Sequence, residues 1–115
     1  MSIFMDTSAR RAKLLSEWRL WVPRIAKVVK EIIPDAEVYV VGSVVRGDSV
    51  GGSDVDILVA SEYIPKKPVE IARLKAAIED KLSLPYYHPF EIHILKPGEA
   101  RYFIERSRGY VLRIA

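Results

Sequence analysis

The chain has no cysteine, no asparagine and no glutamine among its 115 residues. Without a thiol it has no disulfide scaffold, no thiolate zinc site and no cysteine nucleophile. No apolar run approaches the roughly 18 residues that a bilayer-spanning helix needs, so no membrane segment is expected. Met1 to Arg11 carries only a short apolar patch before its charges, which argues against a secretory signal; a cytoplasmic protein is the default expectation. Blocks of like charge are also missing. The 18 basic and 15 acidic residues interleave to a net charge of +3, with a pI near 9.2. This mildly basic balance permits an anionic ligand such as a nucleotide, but gives no argument for a nucleic acid partner. The missing amides and thiols, set beside many Ile, Val, Arg, Lys and Glu, make a composition that thermophilic proteins favour.

What is present is ordinary for a folded domain: 50% hydrophobic and 29% charged residues. The length predicts a single domain over residues 1–115, able to hide roughly 60–70% of its unfolded surface. Asp6-Thr7-Ser8 offers helix N-caps. Leu14, Leu15, Trp18, Trp21, Val22, Ile25, Val28, Val29 and Ile32 then recur at the spacing of one buried helical stripe. Pro23 interrupts that stripe and predicts a kink or two abutting helices before Pro34. Ala36 to Val41 and Asp54 to Ala60 read as strands, separated by a Gly/Ser-rich stretch from Gly42 to Ser53. Pro68 suits a helix start, and Ile71, Leu74, Ile78 and Leu82 mark a second amphipathic helix. Phe90 to Leu95 alternates as a third strand. A last helix follows Pro97-Gly98 to about Arg108, with Gly109 as its cap, and Tyr110 to Ile114 is a short strand or a packed tail. A few strands with helices against one face make an α+β (α/β two-layer) domain.

The chemistry concentrates between Gly42 and Asp56. Asp54 and Asp56, two apart on a strand, point to one face, and their like charges call for a cation between them. A hard divalent ion with oxygen ligands is the natural candidate, and Mg²⁺ favours one or two carboxylates plus substrate phosphates. Gly42 lets backbone approach a ligand, and Ser43 at a helix start offers a hydroxyl and nearby N–H groups to a phosphate. Cradle and carboxylates together fit phosphoryl or nucleotidyl transfer. Glu91, on the third strand, joins the aspartates if its strand lies beside theirs, as a further metal ligand or a general base.

The run Gly42-Ser43, ten residues, then Asp54-x-Asp56, with Arg46-Gly47 and Ser53-Asp54-Val55-Asp56-Ile57, resembles the DNA polymerase β-type nucleotidyltransferases. Within them it is most similar to the minimal, antitoxin-like members that pair with HEPN-domain proteins. The resemblance implies a small mixed sheet with helices packed mainly on one face. It implies a nucleoside triphosphate donor, ATP by analogy, with Mg²⁺ at a two-metal site. Asp54 and Asp56 would be the metal ligands, Glu91 the third carboxylate, and Gly42 and Ser43 the phosphate turn. The acceptor would be a hydroxyl on a partner protein such as a HEPN toxin, with specificity supplied by that partner or by a homodimer.

Plainer roles stand beside these. Arg46 is either a triphosphate contact or the ion-pair partner of Asp48. Gly47, Gly51 and Gly52 are turn formers. His88 and His93, five apart without soft ligands, read as surface or packing residues rather than a zinc pair. Tyr86 and Tyr87 read as packing or partner contacts, and Trp18 and Trp21 as core or dimer interface. Arg101, Arg106, Arg108 and Arg113 read as a solvated face. Two other function classes remain open: a module that neutralises a partner by occlusion, and an RNA-binding protein.

Overall fold

The Asp6 carboxylate accepts the Ser8 amide at 2.9 Å and so opens the first helix, α1, over Thr7–Ser16. The computed structural model describes residues 6–48 and 53–115; residues 1–5 and 49–52, on which the expectation of a turn at Gly51 and Gly52 falls, lie outside the described residues. A second helix, α2, spans Trp18–Ile32. The two do abut, but the break falls at Glu17 rather than at Pro23. The Glu17 amide closes α1 onto the Lys13 and Leu14 carbonyls, while its carbonyl accepts the Leu20 and Trp21 amides that begin α2. α2 then runs through Pro23, which costs it one backbone donor.

The remaining elements follow in chain order: β1 (Glu37–Val41), α3 (Ser43–Arg46), β2 (Val55–Ala60), α4 (Pro68–Lys81), β3 (Phe90–Leu95), α5 (Pro97–Arg106) and β4 (Val111–Arg113). The last helix therefore ends at Arg106, earlier than Gly109, and the tail does pair as a strand. The sheet order is β3-β2-β1-β4. β1 is antiparallel to β2 and to β4, whereas β2 and β3 are parallel. The mixed sheet and the α+β class are as the sequence predicts.

The period-2 alternation of the strands divides the sheet into two unlike faces. Val38, Val40, Val55, Ile57, Val59, Phe90, Ile92 and Ile94 join Trp18, Val22, Ile25 and Val29 of α2 and Ile78 of α4 in one buried cluster. That cluster is the main core. The opposite face carries Tyr39, Asp56, Leu58, Ala60, Glu91 and His93. α5 lies over one end of this second face, where Pro97, Ala100, Arg101 and Ile104 meet Glu37, Tyr39 and Ala60 around a small groove. Leu58 is fully buried there. At the other end, among the described residues, Glu91 is exposed and Asp56 half-buried.

A polar clamp fixes the far ends of β1 and β2. The Ser61 hydroxyl, itself only 1% exposed, donates to Asp35 Oδ1 at 2.6 Å. The Glu62 amide donates to the other carboxylate oxygen at 3.0 Å, and Ser61 Oγ accepts the Tyr63 amide at 2.9 Å. The Ser61 hydroxyl chiefly, with the Glu62 amide and the Lys30 charge, holds the Asp35 carboxyl below its ordinary range against opposing desolvation. A depressed carboxyl stabilises the fold above its unfolded value and loses that contribution as pH falls through the folded one. Asp35→Asn should therefore lower the urea midpoint at pH 7. The gap from the native chain should close on acidification below about pH 4, the ordinary carboxylate range. Urea melts at both ends of that range check this; an equal gap at both would assign the effect to lost hydrogen-bond geometry instead of charge.

Candidate functional site

β1 hands over to α3 at Gly42, whose φ of +94° and ψ of −151° lie in a region open to glycine and strained for other residues. Its carbonyl accepts the Val45 and Arg46 amides at 3.1 Å each, and its own amide donates to the Tyr110 carbonyl at 3.2 Å. Val41 lies opposite Asp56 in the β1–β2 register. Gly42 therefore falls beside that aspartate, and a methyl group placed on it would sit 3.4 Å from Asp56 Oδ2. Ser43, half-buried, starts the short helix. The structure thus brings the glycine-led turn and one of the two aspartates together. Arg46 is engaged locally: its Nε lies 2.7 Å from Asp48 Oδ2, and its guanidinium sits 5.8 Å over the Tyr110 ring.

The parallel pairing of β2 and β3 sets Asp56 directly opposite Glu91 and Leu58 opposite His93. The condition on Glu91, that its strand neighbour the aspartate strand, is met. Asp56, Glu91 and His93 each offer a ligand atom within 4.8 Å of the others. His93 Nε2 lies 3.1 Å from Asp56 Oδ1, and its ring packs on Phe103 of α5 at 5.5 Å between centroids. Glu91 is exposed and Asp56 is 39% exposed at its side chain.

Asp54 is placed differently from expectation. It precedes β2 instead of lying on it, and it stands outside the Asp56–Glu91–His93 group. Its carboxylate pairs at 2.6 Å with Arg11 of α1, which also donates to the Ser53 carbonyl at 2.9 Å. The positive charge demanded by two nearby aspartates is thus met, at Asp54, by a guanidinium. No spacing could have signalled it, because Arg11 comes from a remote helix. Asp54 and Glu91 both border a cleft of about 250 Å³ between the start of β3 and α4, together with Lys75, Glu79, Tyr86 and His88. His88 accepts the Phe90 amide at 3.0 Å on Nδ1, so its proton sits on Nε2 and is donated to Glu79. It is a packing residue that ties β3 to α4. Tyr86 is almost fully exposed, edge-on to Tyr87. Trp18 is core, and Trp21 packs on Phe90.

His93 packs on Phe103, as the expectation of a packing role has it, and it also joins Asp56 and Glu91 on one face. Its signal was its place two residues after Glu91 on one strand, which puts both side chains on the same face.

The mixed four-stranded sheet, with carboxylates on one face beside a glycine-led turn, gives the chain an α+β architecture. The chain belongs to the nucleotidyltransferase domain family, whose model matches residues 22–111. It is also similar to a crystal structure of a Sulfolobus solfataricus protein assigned as a nucleotidyltransferase. The two are 21% identical, the match covers 92% of this chain and 80% of that one, and the TM-score is 0.57. At that identity the likeness is one of fold. A search of curated proteins finds no match.

The backbone at Gly42 yields a direct test. Gly42→Ala leaves room for the methyl at ordinary van der Waals distance from Asp56, so its cost is backbone strain of roughly 1–3 kcal/mol. Thermal or urea unfolding should show a loss of that size. Gly98→Ala, a helical position with open space around a Cβ, is the control and should lose nothing.

Proposed function

We propose that this nucleotidyltransferase moves a nucleoside monophosphate, AMP from ATP, to a hydroxyl on a partner protein of the HEPN toxin class. The observation that carries the reading is the pairing of Asp56 with Glu91 on one face, with Gly42 against Asp56. The donor base and the partner class rest on the resemblance of the Gly42-Ser43 to Asp54-x-Asp56 run.

Asp56 and Glu91 would hold a divalent cation such as Mg²⁺, with Asp54 at the rim. Bound there, the ion would neutralise the triphosphate oxygens during in-line displacement. The Arg11–Asp54 pair does not forbid a cation at Asp54: at 52% exposure of the carboxylate such a pair is worth about 0–1 kcal/mol. Gly42, with no side chain, lets a phosphate approach the backbone, and Ser43 donates its hydroxyl to it. On the other side of β2, the cleft beside Glu91 leaves room for the acceptor. Glu91 takes the proton as the acceptor oxygen attacks the α-phosphorus. The bond from that phosphorus to the bridging oxygen breaks, and pyrophosphate leaves.

The test is incubation with Mg²⁺ and ATP labelled on the α-phosphate, with and without cell extract. Label should move to a discrete protein band. The double variant Asp54→Asn, Asp56→Asn should lose at least about 10²-fold of the rate, the scale on which a stabiliser of transition-state charge acts. Label on RNA would replace the acceptor. Nucleotide binding without any transfer would replace catalysis by an occluding, binding-only role.

A further inference from the structure

The carboxylates that the family resemblance singles out are Asp54, Asp56 and Glu91. The folded chain gathers a different set: Asp56, Glu91 and His93 converge within 4.8 Å, while Asp54 stands apart against Arg11. The convergent donor set is two oxygens and one imidazole nitrogen. We propose that His93 is a ligand of the metal held by Asp56 and Glu91, and that the site consequently takes a transition-metal dication such as Mn²⁺ or Co²⁺ in preference to Mg²⁺. This rests on the reading of Asp56 and Glu91 as metal carboxylates and adds the identity of the ion.

Three observations support it. The first is spacing. Neighbouring donors on an ion with bonds of about 2.1 Å lie roughly 3.0 Å apart. His93 Nε2 lies 3.1 Å from Asp56 Oδ1, a hydrogen-bond separation that is also the one adjacent ligands of a single ion would keep. The second is orientation. The strand pairing sets His93 opposite Leu58, on the face of Asp56, and the Phe103 ring packs on the imidazole from α5. The ring is thus backed by a helix and presents Nε2 to the carboxylate. The third is ligand chemistry. Mg²⁺ keeps oxygen ligands and gives up water reluctantly, whereas imidazole suits transition dications. Replacing an oxygen donor by nitrogen shifts preference toward the latter.

The chain's two histidines make the idea separable. His88 is bound on both nitrogens, by the Phe90 amide and by Glu79. A nitrogen signal from a bound ion therefore reports His93. The experiment titrates Mn²⁺ into the purified full chain without nucleotide. Loss of the free-ion EPR signal gives affinity, and electron spin-echo modulation reports directly bound ¹⁴N. The native chain should show nitrogen coupling. His93→Ala should abolish it and weaken Mn²⁺ at least about tenfold, the scale on which metal-site residues act. Mg²⁺ competition should weaken far less. His93→Gln, which keeps bulk and a donor toward Asp56, should also lose the coupling, so a folding defect in the alanine variant cannot account for the result. Bound Mn²⁺ without nitrogen coupling would overturn the proposal, with His93 reduced to a hydrogen-bond partner of Asp56. Coupling that survives His93→Ala would overturn it as well, and so would absence of Mn²⁺ binding. The function reading falls by a different result, absence of α-phosphate transfer under any dication.

Discussion

Asp56 and Glu91 face each other because β2 and β3 run parallel with Val55 opposite Phe90, and that register holds over six consecutive pairs. Side chains on a strand alternate with a period of two. A slip of one residue would therefore send Asp56 or Glu91 into the apolar core and bring a valine or isoleucine out. The core forbids the slip. Val55, Ile57 and Val59 of β2 and Phe90, Ile92 and Ile94 of β3 are all buried on the α2 side, and moving any one set would expose it. The packing of one face thus fixes the geometry of the polar groups on the other. The same constraint acts across β1, where Val38 and Val40 in the core oblige Val41 to pair with Asp56 and so bring Gly42 beside the carboxylate.

The second face of the sheet is covered at one end and carries the carboxylates at the other, and the division has a chemical cause. Toward the covered end, Leu58 and Ala60 accept α5 and are buried under it. Toward the other end, burial of Asp56 and Glu91 would remove two carboxylates from water, and among the described residues no buried basic side chain compensates. His93 lies at the boundary. Its ring is apolar enough to pack on Phe103, while its Nε2 remains at the carboxylate. One histidine therefore joins the packed and the polar halves of the face.

Much of this was legible in the residues. Alternation in Phe90 to Leu95 placed Glu91 and His93 on one face, and the Gly42-Ser43 pair ahead of Asp54-x-Asp56 marked both the turn and the acidic strand. The helical stripe from Leu14 to Ile32 was legible as core. Three things were not. The order of strands depends on contacts remote in sequence, so the neighbourhood of Asp56 and Glu91 was a condition that only the sheet could meet. Asp54 reads as a strand residue from spacing alone, yet Arg11 holds it just before β2 begins. The helix break falls at Glu17, where hydrogen bonds from both helices meet, and α2 absorbs Pro23 because its other turns are anchored by Val22, Ile25, Ala26 and Val29 in the core. Pattern predicts which residues share a face; it does not predict which remote charge will reach them.

The contrast between Asp54 and Asp56 shows how one sequence motif divides on folding. In sequence the two acids are equivalent members of a pair. In the fold, Asp56 is held by its strand on both sides, between Val41 of β1 and Glu91 of β3. Its carboxylate has Gly42 on one side and shares a hydrogen bond with His93 at 3.1 Å. Asp54 has no strand partner and is oriented by an exposed ion pair, an interaction weak enough to exchange for another cation. The two aspartates are thus held in different ways, and the distinction arises from where β2 starts, a single residue between them.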